Sequence, residues 1–152
     1  MTIPRAIPRI ILIVLCAFNA LSAIGGGVGM LAPGSIGMPL SVIKDSPFTS
    51  FLWPALILLI IVGGTQLLAL VTVSRRSETA LLWSTVAGFG MIIWIFVEVA
   101  FMETFAIHVL YFATALAQVA MVVALLGVVP GWVTAAGVAT KRQTILSGTA
   151  PR

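Results

Sequence analysis

The feature that most constrains this chain is the continuity of its apolar stretches. Four of them lie at about residues 10–30, 47–74, 79–101 and 105–129, and Glu98 is the only acidic or basic residue inside them, His108 aside. Some twenty helical residues rise about 30 Å, the thickness of a bilayer's hydrocarbon core. Lipid offers a backbone no hydrogen bonds, so a spanning segment must be a helix or part of a closed barrel. Barrel strands alternate apolar and polar residues over about ten positions. These stretches do not alternate, and they are about twice that long. Charged residues make up 8% of the 152-residue chain, hydrophobic residues 61%, and the mean hydropathy is +1.20. Soluble domains carry roughly 25% charged residues. The expectation is an all-α membrane protein, a four-transmembrane-helix bundle running up-down-up-down. Residues 1–132 would form this domain and 133–152 a cytoplasmic tail.

The punctuation between the stretches supports that division. Arg5 and Arg9 precede the first, which runs past signal-peptide length and reads as an uncleaved helix. Its second half is rich in small residues, and Gly25 and Gly29 form a GxxxG suited to close helix contact. Pro33, Gly34, Gly37 and Pro39 break the chain after it, and Pro39 to Ile43 is apolar enough for a half-buried cap over the outer end. Ser46-Pro47 reads as N-cap and first residue of the second helix, with Trp53 as an interfacial anchor and Pro54 as a kink. Arg75-Arg76 and Glu78 suit the helix dipoles on either side of a tight turn. Met102-Glu103-Thr104 is a second short turn, which makes the third and fourth helices antiparallel neighbours. Pro130-Gly131 ends the last helix, Trp132 is placed for the headgroups, and the tail carries Lys141, Arg142 and Arg152.

With four crossings, Arg5, Arg9, Arg75, Arg76, Lys141 and Arg142 share one side, against Lys44, Asp45 and Glu103 on the other. Basic loops stay in the cytoplasm. Both termini are therefore expected inside, in a multi-pass protein of the inner (plasma) membrane. The net charge of +4 is accounted for by these helix-end residues. No basic face with interleaved aromatics suggests nucleic acid, and the partner to expect is the lipid bilayer. The small-residue faces also allow a homo-oligomer or a larger membrane complex.

No Gly-rich phosphate loop, HExxH or GxSxG occurs, so no catalytic residue, metal site or cofactor is assigned. The lone Cys16 has no disulfide partner and reads as a small buried hydrophobe. What remains is polar residues within the apolar stretches, where a functional site is the default hypothesis. Glu98 would lie about one turn below the outer surface, with His108 at similar height on the next helix. His108, Tyr111, Ala115 and Gln118 share a helical face, as do Glu98, Trp94, Gly90 and Ala87. Glu98 and His108 would be the ligand-binding or proton-carrying pair of a polar cavity, with Tyr111 and Trp94 as walls. Asn19, Gln66 and Gln118 form a deeper layer of interhelical hydrogen-bonding side chains.

The runs Ser46-Pro47-Phe48-Thr49-Ser50-Phe51-Leu52-Trp53-Pro54-Ala55-Leu56-Ile57-Leu58, Arg75-Arg76, Ile93-Trp94-Ile95-Phe96-Val97-Glu98-Val99 and Leu110-Tyr111-Phe112 resemble a group of small bacterial four-helix integral membrane proteins. The resemblance covers about residues 44–127. It implies the four-helix fold and carries no activity with it. In that group glutamine can stand at the position of Glu98, which argues against an obligatory proton-carrying role there. DoxX-like proteins are similar only in size and helix count. The reading that follows is a non-enzymatic accessory or ligand-binding membrane module. The alternatives are a small oligomeric transporter or channel using Glu98, and a membrane enzyme acting on a lipid or quinone.

Overall fold

The structure, a computed structural model, describes residues 3–101, 106–128 and 133–134. The turn at residues 102–104, both expected ends of the last helix (Phe105 and Val129), Trp132 and most of the tail lie outside these residues. Among the described residues, four helices are long and apolar enough to cross a membrane by length and composition: Ala6–Leu31 (α1), Leu52–Ser74 (α2), Ala80–Phe101 (α3) and Ala106–Leu126 (α4). The main contacts join α1 to α2, α2 to α3, α3 to α4 and α4 back to α1. A two-residue parallel ladder pairs Ile3–Pro4 with Val133–Thr134 and sets residues 3–4 beside the segment after α4.

α1 starts earlier than the apolar pattern predicts, at Ala6 rather than about residue 10. Pro8 falls in its first turn, where a missing N–H removes no helical hydrogen bond. Arg9 fixes this end. Its Nε and Nη2 donate to the Val73 carbonyl at 3.2 and 3.0 Å, and Nη2 also donates to Ser74 O at 3.0 Å. A cation thus meets the carbonyls at the C-terminal end of α2, where the dipole favours it.

The same end of α2 closes by a Schellman turn. Arg76 adopts a left-handed φ of 55°, its N–H donates to Val73 O, and the Ser77 N–H donates to Thr72 O. The expected tight turn before α3 is therefore built on Arg76.

The start of α2 corrects the sequence reading. Ser46-Pro47 does not open the helix, which begins at Leu52. The Ser46 hydroxyl instead donates to Ile43 O at 2.7 Å and accepts the Phe48 N–H at 3.2 Å, a local turn that uses the same chemistry as an N-cap. Pro54 then lies in the first turn of α2 and is no mid-helix kink. The irregularity sits further on, where Ile57–Gly63 winds as a π-helix.

That segment faces a close helix contact. A Cβ on Gly27 would stand 2.9 Å from Leu59 Cβ and 3.0 Å from the Ala55 carbonyl oxygen; one on Gly63 would stand 3.0 Å from Ile24 Cγ1. Gly25 of the expected GxxxG is not part of this contact. Gly25 is exposed and has nothing within 4 Å of its Cβ position. Gly26 and Gly27 make the approach instead, with Ala23 buried one turn before.

The interior has two apolar clusters. Leu12, Cys16, Ala69, Val73, Ala87 and Val122 fill the end near Arg9, and Ala23, Val62, Met91, Trp94, Ile95 and Ala115 fill the other. The connection from α1 to α2 folds over this second end through 3₁₀ turns at Ser35–Gly37 and Leu40–Ile43, with Ile43 2% exposed. The cap expected from Pro39 to Ile43 is therefore present as a fold element.

Candidate functional site

Between the two apolar clusters lies a polar belt. Asn19, Gln66, Ser84 and Gln118 are all 0% exposed. Asn19 Nδ2 donates to Gln118 Oε1 at 3.1 Å, and the Thr114 hydroxyl lies 2.9 Å from Asn19 Oδ1 and also 2.9 Å from Tyr111 O. Gln118 Nε2 donates to Ser84 O at 3.0 Å, so α1, α4 and α3 are tied in one chain of bonds. Gln66 joins α2 to α3 by donating to Ala87 O at 3.2 Å, while its Oε1 is buried with no partner. The three amide side chains read from the sequence as a deeper layer thus do join helices. Thr114 and Ser84 complete the belt without standing out in the sequence. Thr114 stands four residues before Gln118 on the same face, a spacing that could have flagged it.

Glu98 and His108 come together at the capped end. His108 Nε2 stands 3.8 Å from Glu98 Oε2, with the two side chains 8% and 13% exposed. That separation is an ion-pair distance and too long for a hydrogen bond. Trp94, one turn before Glu98, is buried, and its indole N–H makes no hydrogen bond of ordinary geometry. The Glu98 carboxyl is the acceptor next to it. Tyr111 packs its ring against Phe18 of α1, centroids 5.9 Å apart.

These groups border a cavity of about 260 Å³. Glu98, His108, Trp94 and Tyr111 line it, together with Ser22, Ala23 and Gly26 of α1, Leu58 of α2 and Met91 of α3. Met38, Val42 and Phe51 from the capping connection complete the wall. The cavity is less polar than the sequence suggests. Its wall is mostly hydrocarbon and thioether, with polar groups only from Ser22, Trp94, Glu98, His108 and Tyr111. The contribution of the cap was not legible in the sequence, because it depends on how the connection folds back.

Such a site can hold a mostly apolar molecule and orient it by one polar end. Small-molecule sites have this form, apolar walls with a few convergent polar groups. Among the described residues no three His, Cys, Asp or Glu side chains gather as a metal site. No protein-family model, curated protein or solved structure matches the chain.

Proposed function

We propose that this chain is a non-enzymatic binding module of the plasma membrane that holds a small lipid-soluble ligand inside its bundle. One observation carries the reading: the cavity of about 260 Å³ is walled by all four helices and the cap, and its lining is mostly apolar with Glu98 and His108 as its ionisable groups. The protein purified in nanodiscs is expected to retain a small molecule detectable by native mass spectrometry. Val42→Trp, which fills the cavity from the cap without touching a helix interface, should lose it. An empty wild-type protein that takes up no hydrophobic probe above the level of the Trp variant would overturn the reading.

The orientation we propose is up-down-up-down with both termini in the cytoplasm. The Arg9 contact with Val73 and Ser74 supports it, as does the positive charge of Arg75 and Arg76 beside it. Cys16 is the sole cysteine and is 0% exposed, so it adds no background to thiol labelling. With a membrane-impermeant maleimide, Ser50→Cys should label in intact cells and Ser77→Cys only after lysis. The reverse pattern would invert the topology.

The Glu98–His108 pair favours a second reading, a small transporter that couples ligand movement to protons. Under it, Glu98→Gln abolishes flux in liposomes while ligand binding persists.

A further inference from the structure

A separate hollow, of about 440 Å³, lies at the end of the bundle away from the cap. It sits between the start of α1, the α2–α3 turn and the last turn of α4. Arg5, Arg9 and Arg76 line it together with Val73, Leu81 and Leu125. The ends of helices long enough to span a bilayer lie at the level of the lipid head groups. The hollow thus combines three cations with an apolar wall at that depth.

The chain does not neutralise these arginines. Among the described residues no Asp or Glu is paired with any of them. Of the four acidic residues in the sequence, Asp45 precedes α2, Glu98 lines the inner cavity and Glu103 follows α3. Glu78 belongs to the turn beside the hollow, but it is exposed and does not line it. Residues 135–152 add Lys141, Arg142 and Arg152 and no acidic side chain. Arg9 is anchored through Nε and Nη2 to the Val73 and Ser74 carbonyls, which leaves the two N–H groups of Nη1 for another acceptor. Arg5 and Arg76 are exposed, and their guanidinium groups make no hydrogen bond to the described residues. Arg76 also holds a left-handed φ of 55°. Glycine is the usual residue at such a helix end, because a Cβ is unfavourable there. The fold keeps a cation at this point at the expense of the turn.

We propose that this hollow binds one anionic phospholipid, its phosphate among Arg5, Arg9 and Arg76 and its first chain carbons against Leu81 and Leu125. Guanidinium groups match phosphate oxygens in charge and geometry. Basic pockets between helices at the cytoplasmic side are suited to such head groups. A hollow of about 150 Å³ holds a benzene ring, so this larger one takes a phosphoglycerol group with the start of its chains. A choline or ethanolamine head brings a cation that finds no carboxylate in the lining. The site is separate from the inner cavity, so its test stands whether or not that cavity holds a ligand.

The test titrates the full-length protein in uncharged alkylmaltoside micelles and reads bound lipid by native mass spectrometry. The probes are dioleoyl phosphatidylglycerol, dioleoyl phosphatidylcholine and glycerol phosphate. Phosphatidylglycerol should bind at least about tenfold tighter than phosphatidylcholine, since each cation near an anionic head group is worth about a factor of five. Arg5→Gln and Arg76→Gly should each weaken phosphatidylglycerol about fivefold and leave phosphatidylcholine unchanged. Arg76→Gly should do so with an unchanged or raised unfolding midpoint, because glycine takes the left-handed turn freely. Arg75→Gln removes the same charge from the adjacent exposed residue, which does not line the hollow. It should stay within about twofold of the wild type, because an exposed charge outside the contact is screened by salt. Equal binding of the two lipids by the wild type would overturn the proposal without any variant. A loss for Arg75→Gln as large as that for Arg76→Gly would also overturn it, by making the attraction a diffuse one. Glycerol phosphate that displaces the lipid at equal concentration would assign the hollow to a soluble phosphate and overturn the lipid. A lowered midpoint for Arg76→Gly together with normal binding by Arg5→Gln would reduce the arginines to a structural role.

Discussion

Gly27→Ala should destabilise the bundle by about 1–3 kcal/mol, the usual cost of forcing an extra carbon into a packed contact. The added methyl would stand 2.9 Å from Leu59 Cβ, 3.0 Å from Ala55 O and 3.1 Å from Leu59 N. Two of those three atoms are backbone, which cannot rotate aside, so α1 and α2 must part along the π segment. Gly25→Ala is the control two residues away. Its Cβ position is open, and replacing glycine inside a helix removes a propensity cost of up to about 1 kcal/mol. Unfolding titrations in mixed micelles should show a lowered midpoint for Gly27→Ala and an unchanged or raised one for Gly25→Ala. The opposite order would place the close contact at Gly25 rather than Gly27.

Gln118→Leu should cost about 2 kcal/mol, since each interhelical hydrogen bond of this kind contributes roughly 0.6–2 kcal/mol. The change removes the acceptor for Asn19 Nδ2 and the donor to Ser84 O together, and it strands the Asn19 amide in a site of zero exposure. Asn19→Leu strands Gln118 Oε1 in turn. The double variant should therefore lose less than the sum of the singles, by about 1 kcal/mol, because directly bonded partners couple. Gln66→Leu offers an internal comparison. Gln66 makes one bond, to Ala87 O, and its own Oε1 is already unpaired. Its replacement should cost clearly less than that of Gln118. Additive losses at Asn19 and Gln118 would mean that their contact contributes nothing.

The helices were legible because bilayer thickness and the exclusion of charge act on every residue of a stretch, so α1 to α4 stand out whatever their packing. Boundaries depend on single side chains, and there the reading slipped. Ser46 has the chemistry of a helix cap, and only the nearby Ile43 carbonyl turns it to another use. The π segment left no sequence signal, since it accompanies the close approach of α1 rather than any residue type of its own. Glycines at 25, 26, 27 and 29 offer several faces, and spacing alone does not show that Gly26 and Gly27 rather than Gly25 meet α2. At the site, short connections placed Glu98 and His108 at one height, and the amide side chains stood out by polarity. Their partners were hidden. The carbonyls of Ser84 and Ala87 look like any other backbone in a sequence, and the cavity depends on Met38, Val42 and Phe51 folding back from a connection.

The belt also bears on the order in which the molecule can be completed. Chain synthesis delivers Asn19 long before Gln118 and Thr114, and both of its side-chain partners lie on the last helix. Arg9 waits less long, meeting its carbonyls once residues 73 and 74 have been made. A chain truncated before α4 would keep the Arg9 clasp and hold an amide with neither partner. Docking of α4 is therefore the step that completes the bonding of Asn19.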